Sequence, residues 1–146
     1  MPYDPLMVMP MREELTRAGF TELTTPDAVD AAMKLPGTTL LVVNSVCGCA
    51  AGSLRPGVTM SLNHEKRPDN LVTVFAGVNM ESTQHVRDTY LANHPPSSPS
   101  IALFNNGELI GMIHRHQIEG RMPENIAKAL TAAYDEYCGT PTETVS

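Results

Sequence analysis

The sequence predicts an α/β fold in which helices cover both faces of a central mixed β-sheet. Two apolar runs, at 38–44 and 71–76, lack alternation of polar and apolar residues, which is typical of strands buried on both faces. A third apolar run, at 100–104, leads into Asn105-Asn106-Gly107, a strong signal for a type I′ hairpin. Segments with helical spacing separate these runs. Strands that alternate with helices and end in an antiparallel hairpin indicate a three-layer sandwich.

Helix and strand signals place the remaining elements along the chain. In order, we expect a helix at 5–18, an edge strand at 20–23, helices at 25–35, 47–62 and 82–91, a hairpin strand at 109–113 and a helix at 123–137. Pro10 should kink or restart the first helix, and Pro56-Gly57 should interrupt the third. Thr25 and Ser82 have the side chains of helix N-caps.

Length and composition are those of an ordinary globular protein. The chain has 146 residues, of which 42% are hydrophobic and 18% charged, and no repeat or linker divides it. We therefore expect a single domain spanning 1–146, with a loose polar tail after Gly139. The net charge is −6 and no block of lysine or arginine occurs, so nucleic acid is not an expected partner.

The same composition argues against a membrane or secreted protein. No apolar run approaches the roughly 20 residues that span a bilayer, and the N-terminus lacks the basic and apolar regions of a signal peptide. The three cysteines are an odd number, and two of them are nearly adjacent, which does not suit a disulfide framework. We therefore expect a cytoplasmic protein whose thiols are reactive.

The candidate reactive group is Cys47-Gly48-Cys49, which follows the buried strand at 38–44 and opens a helix. A helix N-terminus carries partial positive charge and free N–H groups, so it stabilises a thiolate relative to a thiol. Cys47 comes first and should lie nearest the helix N-terminus. It is therefore the expected nucleophile for thiol–disulfide exchange, in preference to a buried structural cysteine.

Two interpretations of Cys49 stay open. It is either a resolving thiol that closes a disulfide with Cys47 or a small helix residue without a redox step. A disulfide across one intervening residue closes a small, strained ring, which makes the bond easier to reduce. Gly48 would ease the backbone distortion that such a ring requires.

These motifs make the chain similar to the bacilliredoxins of the thioredoxin superfamily. The most specific match is Val43-Asn44-Ser45-Val46-Cys47-Gly48-Cys49-Ala50-Ala51-Gly52. Supporting matches occur at 10–15, 19–23, 75–77, 95–100, 114–116 and 118–121. The resemblance covers nearly the whole chain up to about Cys138. It implies a thioredoxin-like three-layer sandwich with an added N-terminal helix.

The resemblance also implies an activity. It predicts a thiol–disulfide oxidoreductase that removes bacillithiol from mixed disulfides on oxidised proteins, with Cys47 attacking and Cys49 resolving. A protein-disulfide isomerase activity is implied as well, and the sequence does not rank the two. Pro99 matches the cis-proline that faces the thiols, and Gly48, Ser98 and Pro99 are the expected substrate-binding residues. Bacillithiol or a similar thiol would be a co-substrate, no bound cofactor is expected, and S-thiolated proteins and a thiol reductase would be partners.

A soft-metal carrier or sensor is the main alternative function. Cys47 and Cys49 with one or two histidines could bind zinc or copper, because thiolates suit these metals. His114 and His116 are the nearest candidates, although a solvated strand end is the simpler interpretation. An anion-binding edge with Arg115 and Arg121 is another. No second Cys-x-x-Cys completes four ligands, so no metal site is predicted. A redox-sensing interaction module is a third, weaker alternative.

The remaining reactive or unusual side chains have structural interpretations. Cys138 is expected to be a semi-buried residue in the last turn of the final helix. Methionines such as Met7 and Met9 should fill gaps in the core or form a contact surface, which would suit a homodimer. Glu13 and Glu14 are expected to be solvated charges.

Overall fold

A computed structural model describes residues 3–139 of the chain. The predicted loose tail lies outside the described residues. The helices are α1 (Pro5–Thr16), α2 (Pro26–Met33), α3 (Arg55–Ser61), α4 (Met80–His85), α5 (Arg115–Ile118) and α6 (Pro123–Tyr137). The strands are β1 (Thr21–Glu22), β2 (Thr38–Asn44), β3 (Asn70–Phe75), β4 (Ser100–Asn105) and β5 (Glu108–Ile113). Two π-helical segments, Ala50–Leu54 and Val86–Tyr90, directly precede α3 and follow α4.

The five strands form one mixed sheet in the order β1-β3-β2-β4-β5. β1 and β2 both run parallel to β3, whereas β4 runs antiparallel to β2 and β5 antiparallel to β4. All seven residues of β2 are buried, which explains why its sequence shows no alternation. Asn106 and Gly107 both have positive φ, of 51° and 83°, so the predicted type I′ hairpin is confirmed.

Helices cover both faces of this sheet, which confirms the predicted three-layer sandwich. One face packs against the end of α1, α3 and α6 through a cluster that includes Leu15, Leu40, Val58 and Leu130. The other face packs against α2 and the segment after α4 through a second cluster. Its members include Val29, Leu41, Val74 and Val86. β2 contributes alternate side chains to the two clusters and therefore lies at the centre of the core.

Two expectations that a proline would interrupt a helix are wrong, while the kink expected as the alternative at Pro10 stays a prediction. Pro10 lies inside an uninterrupted α1, where it removes one intrahelical hydrogen bond and does not restart the helix. Pro56-Gly57 does not break the helix that follows the cysteines. Instead, the Arg55 N–H donates to the Ala50 carbonyl in a π-type bond, just before the proline that has no N–H to donate.

Two helix boundaries also differ from expectation. Thr25 caps α2 as predicted and accepts a hydrogen bond from the Ala28 N–H. Ser82, however, lies inside α4, which begins after Asn79. The Asn79 side chain accepts a hydrogen bond from the Phe75 N–H, so it ties the helix start to the end of β3. The short helix α5 was not expected from the sequence.

Leu40→Ala should lower the free energy of unfolding by about 2–5 kcal/mol, because Leu40 is fully buried at the centre of β2. Leu6→Ala is the matched control, since Leu6 is 76% exposed and its truncation should change stability by no more than about 0.5 kcal/mol. Urea unfolding followed by circular dichroism measures both. Equal losses for the two variants would contradict this assignment of the core.

Candidate active site

The cysteines lie in a turn where β2 ends and the next helix begins. Side-chain hydrogen bonds fix this turn: the Ser45 N–H donates to Asn44 Oδ1 at 2.8 Å, and the Cys47 N–H donates to Ser45 Oγ at 2.9 Å. The Cys47 carbonyl then accepts from the Ala50 N–H at 2.9 Å, the first bond of the helix. The predicted strand-to-helix junction is confirmed, and Cys47 lies directly at it.

The two thiols contact each other. Cys47 Sγ lies 2.7 Å from Cys49 Sγ, and the Cys49 N–H donates to Cys47 Sγ at 3.4 Å. Both cysteines are half-buried, both are free, and Cys49 also packs against the core cluster of α3 and α6. This arrangement gives the sulfur of Cys47 two donors from within its own turn.

The surroundings separate the pKa values of the two thiols. The hydrogen bond from the Cys49 side chain is the largest cause that lowers the pKa of Cys47. The backbone N–H groups of Cys49 and Ala50 and the charge of Arg115 lower this pKa further, whereas burial acts to raise it. Burial, followed by the hydrogen bond with Cys47 and its charge, raises the pKa of Cys49 to about 11. The site therefore favours a thiolate at Cys47 beside a protonated Cys49.

The proline expected to face the thiols precedes β4. The Ser98–Pro99 bond is cis, as the resemblance implied. Ser100 pairs with Val43, so the register continues to place Pro99 across from the end of β2, where the cysteine turn begins. The Arg115 guanidinium donates to the Ser98 carbonyl at 3.3 Å, and its positive charge acts to lower the pKa of both cysteines. One side chain thus links the proline segment to the cysteine pair.

Two histidines contact each other and the loop that precedes Pro99. His94 Nδ1 lies 3.2 Å from His114 Nε2, and His114 Nδ1 lies 3.1 Å from Ser97 Oγ. His116 stacks on His114 with ring centroids 5.9 Å apart. Burial, followed by the neighbouring His94 and His116, lowers the pKa of His114, so its neutral form is favoured. The solvated strand end expected for His114 is wrong, because it caps α5 and contacts the loop before Pro99.

The structure does not gather the ligands that the metal alternative needs. Within residues 3–139, no group of three or more histidine, cysteine, aspartate or glutamate side chains is arranged to hold a metal ion. Cys138 follows the last residue of α6 and is buried in the cluster of α3 and α6. Burial is the largest cause that raises its pKa. Cys138 therefore lies one residue beyond the expected last turn of the helix, and it is buried rather than semi-buried.

One charged residue beside the turn was not expected from the sequence. Arg55, at the start of α3, is only 2% exposed and donates to Asn44 Oδ1 and to the Ser45 carbonyl. Its charged neighbour is Glu14 on α1, with Nε and Oε1 3.2 Å apart. Glu14 is exposed, as expected for a solvated charge, and in addition it pairs with the buried Arg55. An arginine within the small, apolar run after the cysteines was the available signal.

Known proteins resemble this chain over nearly its full length. A family model described as "Disulphide isomerase" matches residues 3–138. A bacilliredoxin of Cytophaga hutchinsonii is 55% identical over 134 residues, which cover 92% of this chain and 98% of that protein. This chain belongs to the bacilliredoxin family. Another bacilliredoxin, from Geobacillus kaustophilus, is 53% identical over 127 residues, 87% of each chain.

Solved structures share the fold at low sequence identity. "A putative oxidoreductase with a thioredoxin fold" aligns with a TM-score of 0.57 and 13% identity, covering 77% of this chain and 95% of that one. Mitochondrial thioredoxin 3 of Saccharomyces cerevisiae aligns with a TM-score of 0.53 and 16% identity, covering 84% and 98%. The fold of this bacilliredoxin-family chain is therefore thioredoxin-like. Family membership and fold together support a thiol–disulfide oxidoreductase.

Gly48→Ala should leave the free energy of unfolding within about 0.5 kcal/mol of the wild type, because a Cβ there meets nothing within 4 Å. Gly57→Ala is the matched comparison. Its Cβ would lie 2.6 Å from Ile126 Cβ and 2.9 Å from the Pro123 carbonyl oxygen, so a loss of about 1–3 kcal/mol is expected. Thermal and urea unfolding measure both variants. A larger loss for Gly48→Ala than for Gly57→Ala would show that the turn requires glycine.

Proposed function

We propose that this protein removes bacillithiol, or a similar small thiol, from mixed disulfides on oxidised proteins, with Cys47 as the nucleophile. The observation that carries the proposal is the unequal thiol pair: a thiolate favoured at Cys47, in contact with a protonated Cys49. A thiolate is the attacking species in disulfide exchange, so a lowered pKa supplies it near neutral pH.

In the first step, the Cys47 thiolate attacks the bacillithiol sulfur of the mixed disulfide. A disulfide forms between Cys47 and bacillithiol, and the substrate disulfide breaks. The substrate cysteine leaves as a thiolate and takes a proton from solvent. No net oxidation occurs, because one disulfide replaces another.

In the second step, Cys49 attacks the sulfur of Cys47 and releases bacillithiol as a thiolate. The two sulfurs already lie 2.7 Å apart, compared with about 2.05 Å in a disulfide. The hydrogen bond and charge of Cys47 contribute to the raised pKa of Cys49, and both disappear once Cys47 is bonded to bacillithiol. The proton of Cys49 is therefore released more easily at the point where Cys49 must react. A thiol reductase then supplies two electrons to the Cys47–Cys49 disulfide.

The substrate would bind along the segment that faces the turn. Gly48 is exposed, and a Cβ at this position meets nothing within 4 Å, so its backbone leaves room for a substrate chain beside the sulfurs. Ser98 and the cis Pro99 precede β4, across from the cysteine turn, and would pair with the extended substrate backbone. Bacillithiol enters as a co-substrate, and the chain's own residues perform the exchange.

Rearrangement of protein disulfides is a second candidate function. The family model that matches residues 3–138 is described as "Disulphide isomerase". The same Cys47 thiolate would attack a mispaired disulfide and later leave when the correct partner attacks. An assay with a mispaired, fully oxidised protein and no small thiol separates this activity from bacillithiol removal.

Cys47→Ser should abolish release of bacillithiol from a mixed-disulfide protein, because the attacking sulfur is removed. Cys49→Ser should retain the first exchange and accumulate a bacillithiol adduct on Cys47. Cys138→Ser is the control and should keep the wild-type rate, since Cys138 is buried beside Thr38 at the start of β2, whereas the cysteine turn follows the end of that strand. Mass spectrometry of substrate and enzyme follows all three. Full activity of Cys47→Ser would refute the proposed nucleophile.

Arg115→Met should slow the first exchange by about two- to fivefold. This is less than the tenfold change in the ionisation equilibrium of Cys47 that a shift of one pKa unit would represent. The reason is that Arg115 attracts the Cys47 thiolate and contributes to its lowered pKa. Because the side chain is partly exposed, the difference from wild type should shrink at high salt. Arg17→Met, at the exposed Arg17–Glu13 pair, is the control. An equal effect of both variants would exclude a local role of Arg115.

A further inference from the structure

Arg55 brings a buried positive charge under the cysteine turn. Arg55 is the first residue of α3, in the helical segment that follows the cysteine turn. Its guanidinium reaches back to the end of β2. Nη1 donates to Asn44 Oδ1 at 3.0 Å and to the Ser45 carbonyl at 2.9 Å. The two ends of the turn are thereby joined by one side chain.

These two acceptors begin a chain of hydrogen bonds that ends at Cys47. Asn44 Oδ1 also accepts from the Ser45 N–H at 2.8 Å, and Ser45 Oγ accepts from the Cys47 N–H at 2.9 Å. A displacement of Ser45 would therefore displace the backbone of Cys47. The sulfur of Cys47 must stay aligned with the Cys49 N–H and S–H that stabilise its thiolate.

Helix α1 contacts both the Arg55 guanidinium and Asn44. Arg55 Nε lies 3.2 Å from Glu14 Oε1 without hydrogen-bond geometry, so this contact is Coulombic. Asn44 Nδ2 donates to the Met11 carbonyl of the same helix at 3.1 Å. A buried charge is costly unless it is paired and hydrogen-bonded. The two hydrogen bonds from Nη1 and the Coulombic contact with Glu14 offset part of this cost, while Nε itself has no hydrogen-bond partner. The N-terminal helix is thus connected to the turn that holds the cysteines.

We propose that Arg55 is a positioning residue for exchange at Cys47: it fixes Asn44 and Ser45, and through them the backbone that presents the sulfur. The inference rests on the proposed function of Cys47. A methionine of similar length would fill the space of Arg55 but could not hold the Ser45 carbonyl or Asn44 Oδ1. A lysine would keep the charge and one point of donation, without the planar fork of the guanidinium.

The test measures two properties of reduced protein variants that are first shown to be folded by circular dichroism. One is the rate of exchange with a small neutral disulfide, bis(2-hydroxyethyl) disulfide. The other is the pH midpoint of Cys47 alkylation by iodoacetamide, read by peptide mass spectrometry. Arg55→Met should slow exchange about tenfold or more and raise the pH midpoint of alkylation. The reason is that Cys47 Sγ would no longer be held in hydrogen-bond geometry with the N–H and S–H of Cys49. Arg55→Lys should recover part of both losses.

Arg12→Met is the matched control, because Arg12 is a half-buried arginine that pairs with Glu22 Oε2 at 2.6 Å and makes no hydrogen bond to the cysteine turn. Folded Arg55→Met with the rate and midpoint of Arg12→Met would overturn the proposal. Should Arg55→Met fail to fold, Ser45→Ala decides: it removes only the bond to the Cys47 N–H and should shift both readouts in the same direction. An unchanged profile for Ser45→Ala would overturn the proposal.

Failure of this inference can be told apart from failure of the proposed function. If the wild-type protein and the Arg55 and Ser45 variants all exchange equally rapidly, only the positioning role is refuted. Wild-type protein whose Cys47 shows no exchange refutes the proposed function, and with it the inference. Loss of rate in the variants, with partial recovery in Arg55→Lys, supports both.

Discussion

The sulfurs of Cys47 and Cys49 are in contact, and this contact favours a pair in which Cys47 is a thiolate and Cys49 keeps its proton. With 2.7 Å between them, ionisation of Cys47 is favoured by the S–H of Cys49, while ionisation of Cys49 is opposed by burial and by its neighbour. This difference supports the proposal that Cys47 is the attacking thiol and Cys49 the resolving thiol. When Cys47 becomes part of a disulfide, the contribution of its charge is lost and the second thiol becomes easier to ionise. This change agrees with the proposed order of reaction, in which Cys47 attacks first and Cys49 second.

The fold supplies the fixed frame that such a contact requires. β2 is buried along its whole length and ends at the cysteine turn, and β4 places the cis Pro99 across from that end. Arg55 joins the turn to the helix that follows it, and α1 closes the network through Glu14. The N-terminal helix, which the resemblance implied only as an addition to the fold, thus reaches the site.

Much of this arrangement was predictable because it depends on local patterns. Uninterrupted apolar runs identified β2 and β3, and Asn106-Gly107 identified the hairpin. The position of the cysteines between a strand and a helix was predicted by the apolar run of β2 and the small residues that follow Cys49. The pairing of Arg55 with Asn44 and Glu14 was not predictable, since it joins separate elements and depends on the tertiary packing of a charge. His94 and His114 meet for the same reason, across a loop and a strand end.

One thiol of the pair should ionise far more easily than the other. NMR of the reduced protein, labelled at the β-carbon of cysteine and titrated with alkali, follows each thiol separately. Cys47 should ionise below the ordinary pKa of about 8.5 for a free cysteine, and Cys49 should ionise with a pKa of about 11. Two thiols that ionise together near the ordinary value would contradict the account.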